Sequence, residues 1–327
     1  MEISVVVSTF NNREVLRRTL QHLAAQRFPR ERYEVIVADD GSTDGTAEMV
    51  RTIAFPTDLR YLTRAHAGAS AVRNLGWRQA RGRIVLFVDS DFWAEPGLLV
   101  AHYRHYPRAA ARIAVQGATV IHPDSLVTPF MRVKEVSPDL TVRSRQRMSP
   151  YHVVARNFSM LRTDVDAAGG FDEGFPGYGY EDLDLALRMS AMGVVFEYEP
   201  EALGYHYHVE SLEGVRRKMY EAGLCAVYVW RKHGRPGRLG LFLEILPWML
   251  PFKWLVFRTP LVMPLLRRLV PVGERRDWLL VLNECYKNLL QEAFYAGVFE
   301  ARKTAAQPSR DPAPAARVHG GADDGVS

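Results

Sequence analysis

The chain has 327 residues, 47% hydrophobic and 24% charged, which suits one large globular domain, or one with an appendage, and excludes wholesale disorder. Its net charge of +5 is uneven: residues 213–277 hold thirteen Lys/Arg against five Asp/Glu, a stretch able to face phosphate, nucleic acid, an anionic membrane or bulk solvent. Two cysteines, Cys225 and Cys285, in no metal-ligand spacing, argue against a disulfide framework and fit a reducing compartment.

The first third alternates two periodicities. Ile3–Ser8 is a β-branched run of the kind buried on both faces of a sheet. Asn11 is placed to cap a helix that carries Val15, Leu16, Leu20 and Leu23. Tyr33–Ala38 reads as a second strand, Thr43–Ile53 as a helix, Leu59–Leu62 as a short strand, Ala67–Ala80 as a helix and Arg83–Val88 as another buried strand. Strands alternating with helices predict a parallel sheet with right-handed crossovers. Met1-Glu2 leads directly into the first strand, so no signal peptide is expected.

From Ile113 to Met189 short strands, loops and a helix mix, and the glycine-rich stretch 174–179 reads as a substrate-facing loop. Glu181–Met192 follows as a helix. The apolar stretch Leu239–Val272 is broken by five prolines and by charges, which disfavours a spanning helix. Trp248, Trp254 and Phe257 beside Lys253 and Arg258 instead suggest an interfacial segment; a helical cap on the core is the alternative. Trp278–Phe299 reads as a last amphipathic helix, and the Ala/Pro/Gly-rich residues from Thr304 onward as a disordered tail.

In open parallel sheets ligands bind beyond the carboxyl ends of the strands. Three strand ends here are polar: Ser8-Thr9-Phe10-Asn11, Asp39-Asp40-Gly41-Ser42 and Asp89-Ser90-Asp91. They should converge on one rim. Asp89 and Asp91, two positions apart after a buried strand, can approach one hard cation, Mn²⁺ or Mg²⁺, such as a diphosphate leaving group needs. Adjacent Asp39 and Asp40 repel each other unless something pairs with them; a nucleobase N–H or ribose hydroxyl is one partner. Helix capping by Ser42 or Asp44 is a second use of that loop, and both can hold. Arg73, on a helix of small residues, could reach a phosphate or a carboxylate. His206 and His208 alternate as in a strand and share a face, either as metal or phosphate ligands or as structural histidines.

Read in order, the blocks Val-Val-Val-Ser-Thr-Phe-Asn-Asn, Val-Ala-Asp-Asp-Gly-Ser-Thr-Asp-Gly-Thr, Gly-Ala-Ser-Ala-Val-Arg-Asn-Leu-Gly, Val-Asp-Ser-Asp, Ala-Arg-Asn-Phe-Ser-Met-Leu-Arg-Thr and Ala-Gly-Gly-Phe-Asp-Glu-Gly-Phe-Pro-Gly-Tyr-Gly-Tyr-Glu-Asp-Leu-Asp-Leu resemble the family 2 glycosyltransferases over about residues 1–210. The resemblance implies an α/β fold of GT-A type: a mixed, mostly parallel central sheet flanked by helices, here with a C-terminal helical, membrane-associating segment. It divides the chain into a nucleotide-sugar-binding half (1–112), an acceptor-binding and catalytic half (113–212), a basic and apolar helical region (213–303) and a tail (304–327). It implies a donor-binding set of Thr9, Asn11, Asp39, Asp40, Arg73, Asp89 and Ser90, with Arg73 near the diphosphate or base. Asp91 would hold the metal, with Asp89 on ribose or metal, and His206 or His208 as a further ligand.

Glu181-Asp182 matches the family's acceptor-side acidic pair, with Asp182 as the base of an inverting transfer. At a helix start the dipole should oppose any rise in its pKa. The Gln-x-x-Arg-Trp block of processive members is absent; residues 215–220 read Val-Arg-Arg-Lys-Met-Tyr, so a single transfer is expected. The implied partners are a nucleotide-diphosphate sugar, a glycan or lipid-linked acceptor and an anionic membrane surface on the cytoplasmic side, and not nucleic acid. A catalytically inactive binding protein of the same fold is the alternative. A pyrophosphorylase, a nicotinamide enzyme and a P-loop enzyme are disfavoured, because Ser8–Asn12 contains no glycine.

Overall fold

The computed structural model describes residues 1–106, 112–136, 146–258 and 262–304. The runs expected to be buried strands form β1 (Ile3–Thr9), β2 (Tyr33–Asp39), β3 (Asp58–Thr63) and β4 (Ile84–Asp89), followed by β5 (Phe92–Ala94), β6 (Ile113–Ile121), β7 (Gln146–Arg147), β8 (Asn157–Leu161) and β9 (Val195–His206). All belong to one sheet, ordered β3-β2-β1-β4-β8-β6-β9-β5 with β7 on β9. The first four strands are mutually parallel; β8 enters antiparallel between β4 and β6, and β6 and β9 are parallel again. The sheet therefore crosses the expected boundary at residue 112 without a break.

Strand side chains alternate between faces, and the core splits accordingly. Helices α1 (Arg13–Ala24), α2 (Thr46–Thr52), α3 (Ala69–Arg78), α4 (Leu98–Tyr103), α5 (Pro129–Val136), α6 (Arg162–Ala167) and α7 (Glu181–Ala191) follow in chain order. Val5, Val7, Val35 and Leu86 pack with Leu16, Leu20 and Leu23 of α1, whereas Val6, Ile36, Val85 and Phe87 pack with Trp77 of α3 and Leu185 and Met189 of α7.

A helical region follows: α8 (Leu212–Lys232), α9 (Gly237–Phe242), α10 (Leu250–Arg258), α11 (Val262–Arg276) and α12 (Leu279–Thr304). α12 lies against α8 at main-chain distance. A Cβ on Gly223 would fall 2.0 Å from the Phe294 carbonyl oxygen, and one on Gly297 2.0 Å from that of Tyr220. Neither position admits a side chain unless the helices part. The proline-broken stretch thus resolves into α9, α10 and α11, with Pro271 inside α11. No described helix is long and apolar enough to cross a membrane. Cys225 and Cys285 are buried free thiols, and burial pushes Cys225 up to about 12. The tail expected after Thr304 lies outside the described residues.

Candidate active site

The three polar strand ends meet. Thr9 pairs with Asp39 and Ser8 with Asp89 across neighbouring strands, so all finish at one rim. A cleft of about 690 Å³ opens there, lined among others by Thr9, Asp40, Arg73, Asp89, Ser90, Asp91, Glu181, Asp182, His206 and His208.

Asp40 lines this cleft but is already engaged. Its carboxylate accepts hydrogen bonds from the Ala67 and Gly68 amides at 2.9 and 2.8 Å and lies 2.8 Å from His66 Nδ1, and the His66 ring stacks on Phe10. A carboxylate has about four lone-pair positions, so one remains for a ligand. Thr9 Oγ1 is buried with no partner among the described residues. Ser90 Oγ accepts from Asn12 Nδ2 at 3.1 Å.

Two expected donor residues stand outside the cleft lining. Asp39 is fully buried and accepts from Ser42 Oγ at 2.6 Å and Tyr61 OH at 2.5 Å. Asn11 Oδ1 accepts from the Thr43 amide at 2.8 Å. Nor does Asn11 cap α1; Asp44 accepts from the first amide of that helix, Arg13, at 2.8 Å and from Thr46 at the start of α2 at 3.1 Å. The loop is held by its own polar side chains, which leaves Asp39 little spare capacity.

Arg73 lines the cleft and reaches carboxylates, one of the two kinds of partner its position suggested. It is buried, and its Nη1 donates to Glu181 Oε1 at 3.0 Å and Asp182 Oδ1 at 3.4 Å, while Nη2 donates to Asp89 Oδ1 at 3.3 Å. Burial works against its charge, but Asp182, Asp89 and Glu181 outweigh that and hold it protonated. Arg73 therefore ties the rim of the parallel strands to the start of α7.

Asp182 sits in the first turn of α7, with Oδ2 accepting from the Ala155 amide at 3.0 Å and 17% of its side chain open to the cleft. Burial pushes its pKa up to about 7; Arg73 opposes the rise, while the charges of Glu181 and Asp89 add to it. The expectation that the helix dipole would keep it low fails, because burial between like charges outweighs a half-charge at a helix end.

Asp91 belongs to a second cluster. Its Oδ1 lies 3.2 Å from His206 Nε2 and its Oδ2 3.1 Å from His208 Nδ1. Pairing of Phe92 with His206 between β5 and β9 brings them together, and the Tyr207 amide donates to the Asp91 carbonyl at 2.9 Å. Despite burial, the hydrogen bonds from His206 and His208 hold Asp91 well below the usual carboxylate range. Burial opposes charge on His208, yet Asp91 and Glu210 raise it to about 9. The candidate ligand atoms of Asp91, His206 and His208 all lie within 4.8 Å of one another, a carboxylate and imidazole set that fits a divalent cation. Asp89 stands apart from this trio, on Arg73. Glu210, 2.8 Å from His208 Nε2, was not singled out in the sequence; its spacing two after a histidine was the available signal.

A sheet of this order, with the acidic turn after β4 and the acidic pair at the start of α7, is the GT-A architecture of glycosyltransferases. The sequence matches the family described as Glycosyl transferase family 2 over residues 4–169 and that described as Glycosyltransferase like family 2 over residues 131–235. The first match covers half of the chain, and the chain belongs to glycosyltransferase family 2. It is 29% identical over 252 residues to validoxylamine A glucosyltransferase of Streptomyces hygroscopicus, spanning 69% of this chain and 58% of that protein's length. It is 26% identical over 283 residues to the uncharacterized glycosyltransferase YfnE of Bacillus subtilis, covering 70% of this chain and 71% of that one. Among solved structures, the fold matches a mannosyltransferase of Pyrobaculum calidifontis in complex with GDP-Man and Mn²⁺, with a TM-score of 0.61 and 20% identity over 92% of this chain and 87% of that one.

Proposed function

We propose that the chain moves one sugar, with inversion, from a nucleotide-diphosphate donor to a hydroxyl of a glycan or lipid-linked acceptor, with Asp182 as the base. The observation that carries this is Asp182: a carboxylate with a pKa near 7, facing the cleft that Thr9, Asp40 and Asp89–Asp91 also line. A base of that strength, open to the cleft and fixed by the Ala155 amide, is suited to removing the acceptor proton, an effect worth roughly 10²–10⁴-fold. Thr9 Oγ1, buried and without a partner among the described residues, suits a polar group of the donor, as does the remaining acceptor position of Asp40.

Asp91, His206 and His208 would hold the divalent cation, with Asp89 kept by Arg73 for the ribose side. When bound, it supplies charge neutralisation to the departing diphosphate. Two imidazoles beside one carboxylate favour Mn²⁺ over Mg²⁺. The GDP-Man and Mn²⁺ of the Pyrobaculum structure accord with this reading.

The protein is further read as peripheral on the cytoplasmic face of a membrane. Trp248 (71% exposed), Phe252 and Leu255 follow at four- and three-residue spacing, and Leu265 and Val272 of α11 are exposed beside Arg268, Arg275 and Arg276.

Asp182→Asn is expected to abolish transfer while nucleoside diphosphate affinity stays within about threefold, since the amide keeps the shape but not the basicity. Asp91→Ala should lose metal-dependent donor hydrolysis as well as transfer. Transfer surviving in the Asn variant at the wild-type rate would remove Asp182 from its role.

A further inference from the structure

The cleft is crowded with carboxylates, and nearly every cation in its wall is matched to one. Arg73 is taken by Asp89, Glu181 and Asp182, His66 by Asp40, His206 and His208 by Asp91, and Lys218 by Glu210 at 2.8 Å. Arg156 is the exception: it lines the cleft half-buried, and among the described residues it has no carboxylate partner. Its polar contact is with His206 Nδ1, 3.4 Å from its Nη1. A guanidinium partly open to the cleft and without a carboxylate partner offers a fork of donors that matches phosphate or carboxylate oxygens.

Arg156 stands between the two sides of the cleft. The preceding residue, Ala155, supplies the amide that fixes Asp182 Oδ2 at 3.0 Å. Asn157 pairs with Val88, so the guanidinium stands at the entrance to β8 beside the end of β4, with the Ala155 amide that sets the base on one side and His206 on the other. Tyr151, Tyr178 and Phe242 also line the cleft, and Phe242, 42% exposed and beside exposed Leu241, continues it onto the apolar surface of α9.

We propose that Arg156 determines acceptor specificity by binding an anionic group, phosphate or carboxylate, that the acceptor carries next to the hydroxyl deprotonated by Asp182. This rests on the transferase reading of the same cleft. The donor diphosphate is the competing anion, and the experiment separates the two.

Decyl phosphate, decyl glucoside and inorganic phosphate, each below any micelle-forming concentration, are titrated into the full chain with Mn²⁺ by calorimetry, alongside UDP, GDP and dTDP. Decyl phosphate should bind about 10- to 100-fold more tightly than decyl glucoside, as expected for a charge-assisted fork. R156Q should erase that preference and R156K keep part of it, which also controls for misfolding. Inorganic phosphate matching decyl phosphate would support the proposal with a water-soluble acceptor; a clear advantage for decyl phosphate would support it with a lipid-linked one. Equal affinity for decyl phosphate and decyl glucoside in the wild type overturns it. So does an R156Q protein that loses nucleoside diphosphate but not decyl phosphate. In both cases wild-type binding of a nucleoside diphosphate leaves the transferase reading standing; no binding of any of the three would defeat that reading itself.

Discussion

Asp182 owes its basicity to its surroundings, and this has two measurable consequences. With its pKa near 7, kcat/KM should fall about tenfold per pH unit below that value, instead of holding down to the ordinary carboxylate range near 4. A rate that stays flat between pH 7 and 5 would contradict this. Folding sees the opposite sign. The carboxyl binds its proton more tightly folded than unfolded, so its contribution to stability is full at low pH and is lost as pH rises through 7. Asp182→Asn should therefore gain in Tm relative to wild type between pH 6 and pH 8. Asp89, Asp91 and Asp182 were legible in the sequence because each sits in a short local pattern at the end of a strand or the start of a helix. The partners of Arg73 were not: Glu181 is 108 residues away, and nothing in local spacing announces a pair at that range. The elevated basicity of Asp182 was missed for the same reason, since it depends on those neighbours and on burial.

At the level of elements, the first four strands were read to within about a residue, because β-branched continuity is a strong signal, whereas β5 to β9 were given no bounds. The helix expected over Thr43–Ile53 begins only at Thr46, because Asn11 and Asp39 bind Thr43 and Ser42 and hold the chain in a loop. The pairing of β5 with β9 that carries His206 to Asp91 could not be read at all, since a three-residue strand has no periodicity to show. The crossing of α8 and α12 was equally silent: single glycines in a helical pattern do not say what approaches them. Gly297→Val would bring a side chain against the Tyr220 carbonyl, and a loss of about 1–3 kcal/mol is expected in urea unfolding. Gly234→Ala provides the comparison: it has open space around its Cβ but a φ of +77°, so its cost would come from backbone strain and not from packing.

For the whole molecule, the GT-A architecture was visible from the order of its motifs, whereas the helical region after residue 212 showed only its composition. Its exposed aromatic and basic residues lead to a direct test. The protein should pellet with anionic vesicles, the emission of exposed Trp248 and Trp254 should shift to the blue, and both effects should weaken as salt is raised. Equal recovery in the supernatant with and without vesicles would defeat the membrane assignment.

The unbroken sheet has one more consequence. β4 bonds directly to β8 and Arg73 fastens the strand-end rim to α7, so both sides of the cleft stand on one sheet and share one buried guanidinium. On the proposed reading a departing nucleotide would pass Tyr178, Gly179 and Tyr180, which line the cleft with Asp182, so that short turn, and not the body of the protein, is the piece whose displacement would clear the way.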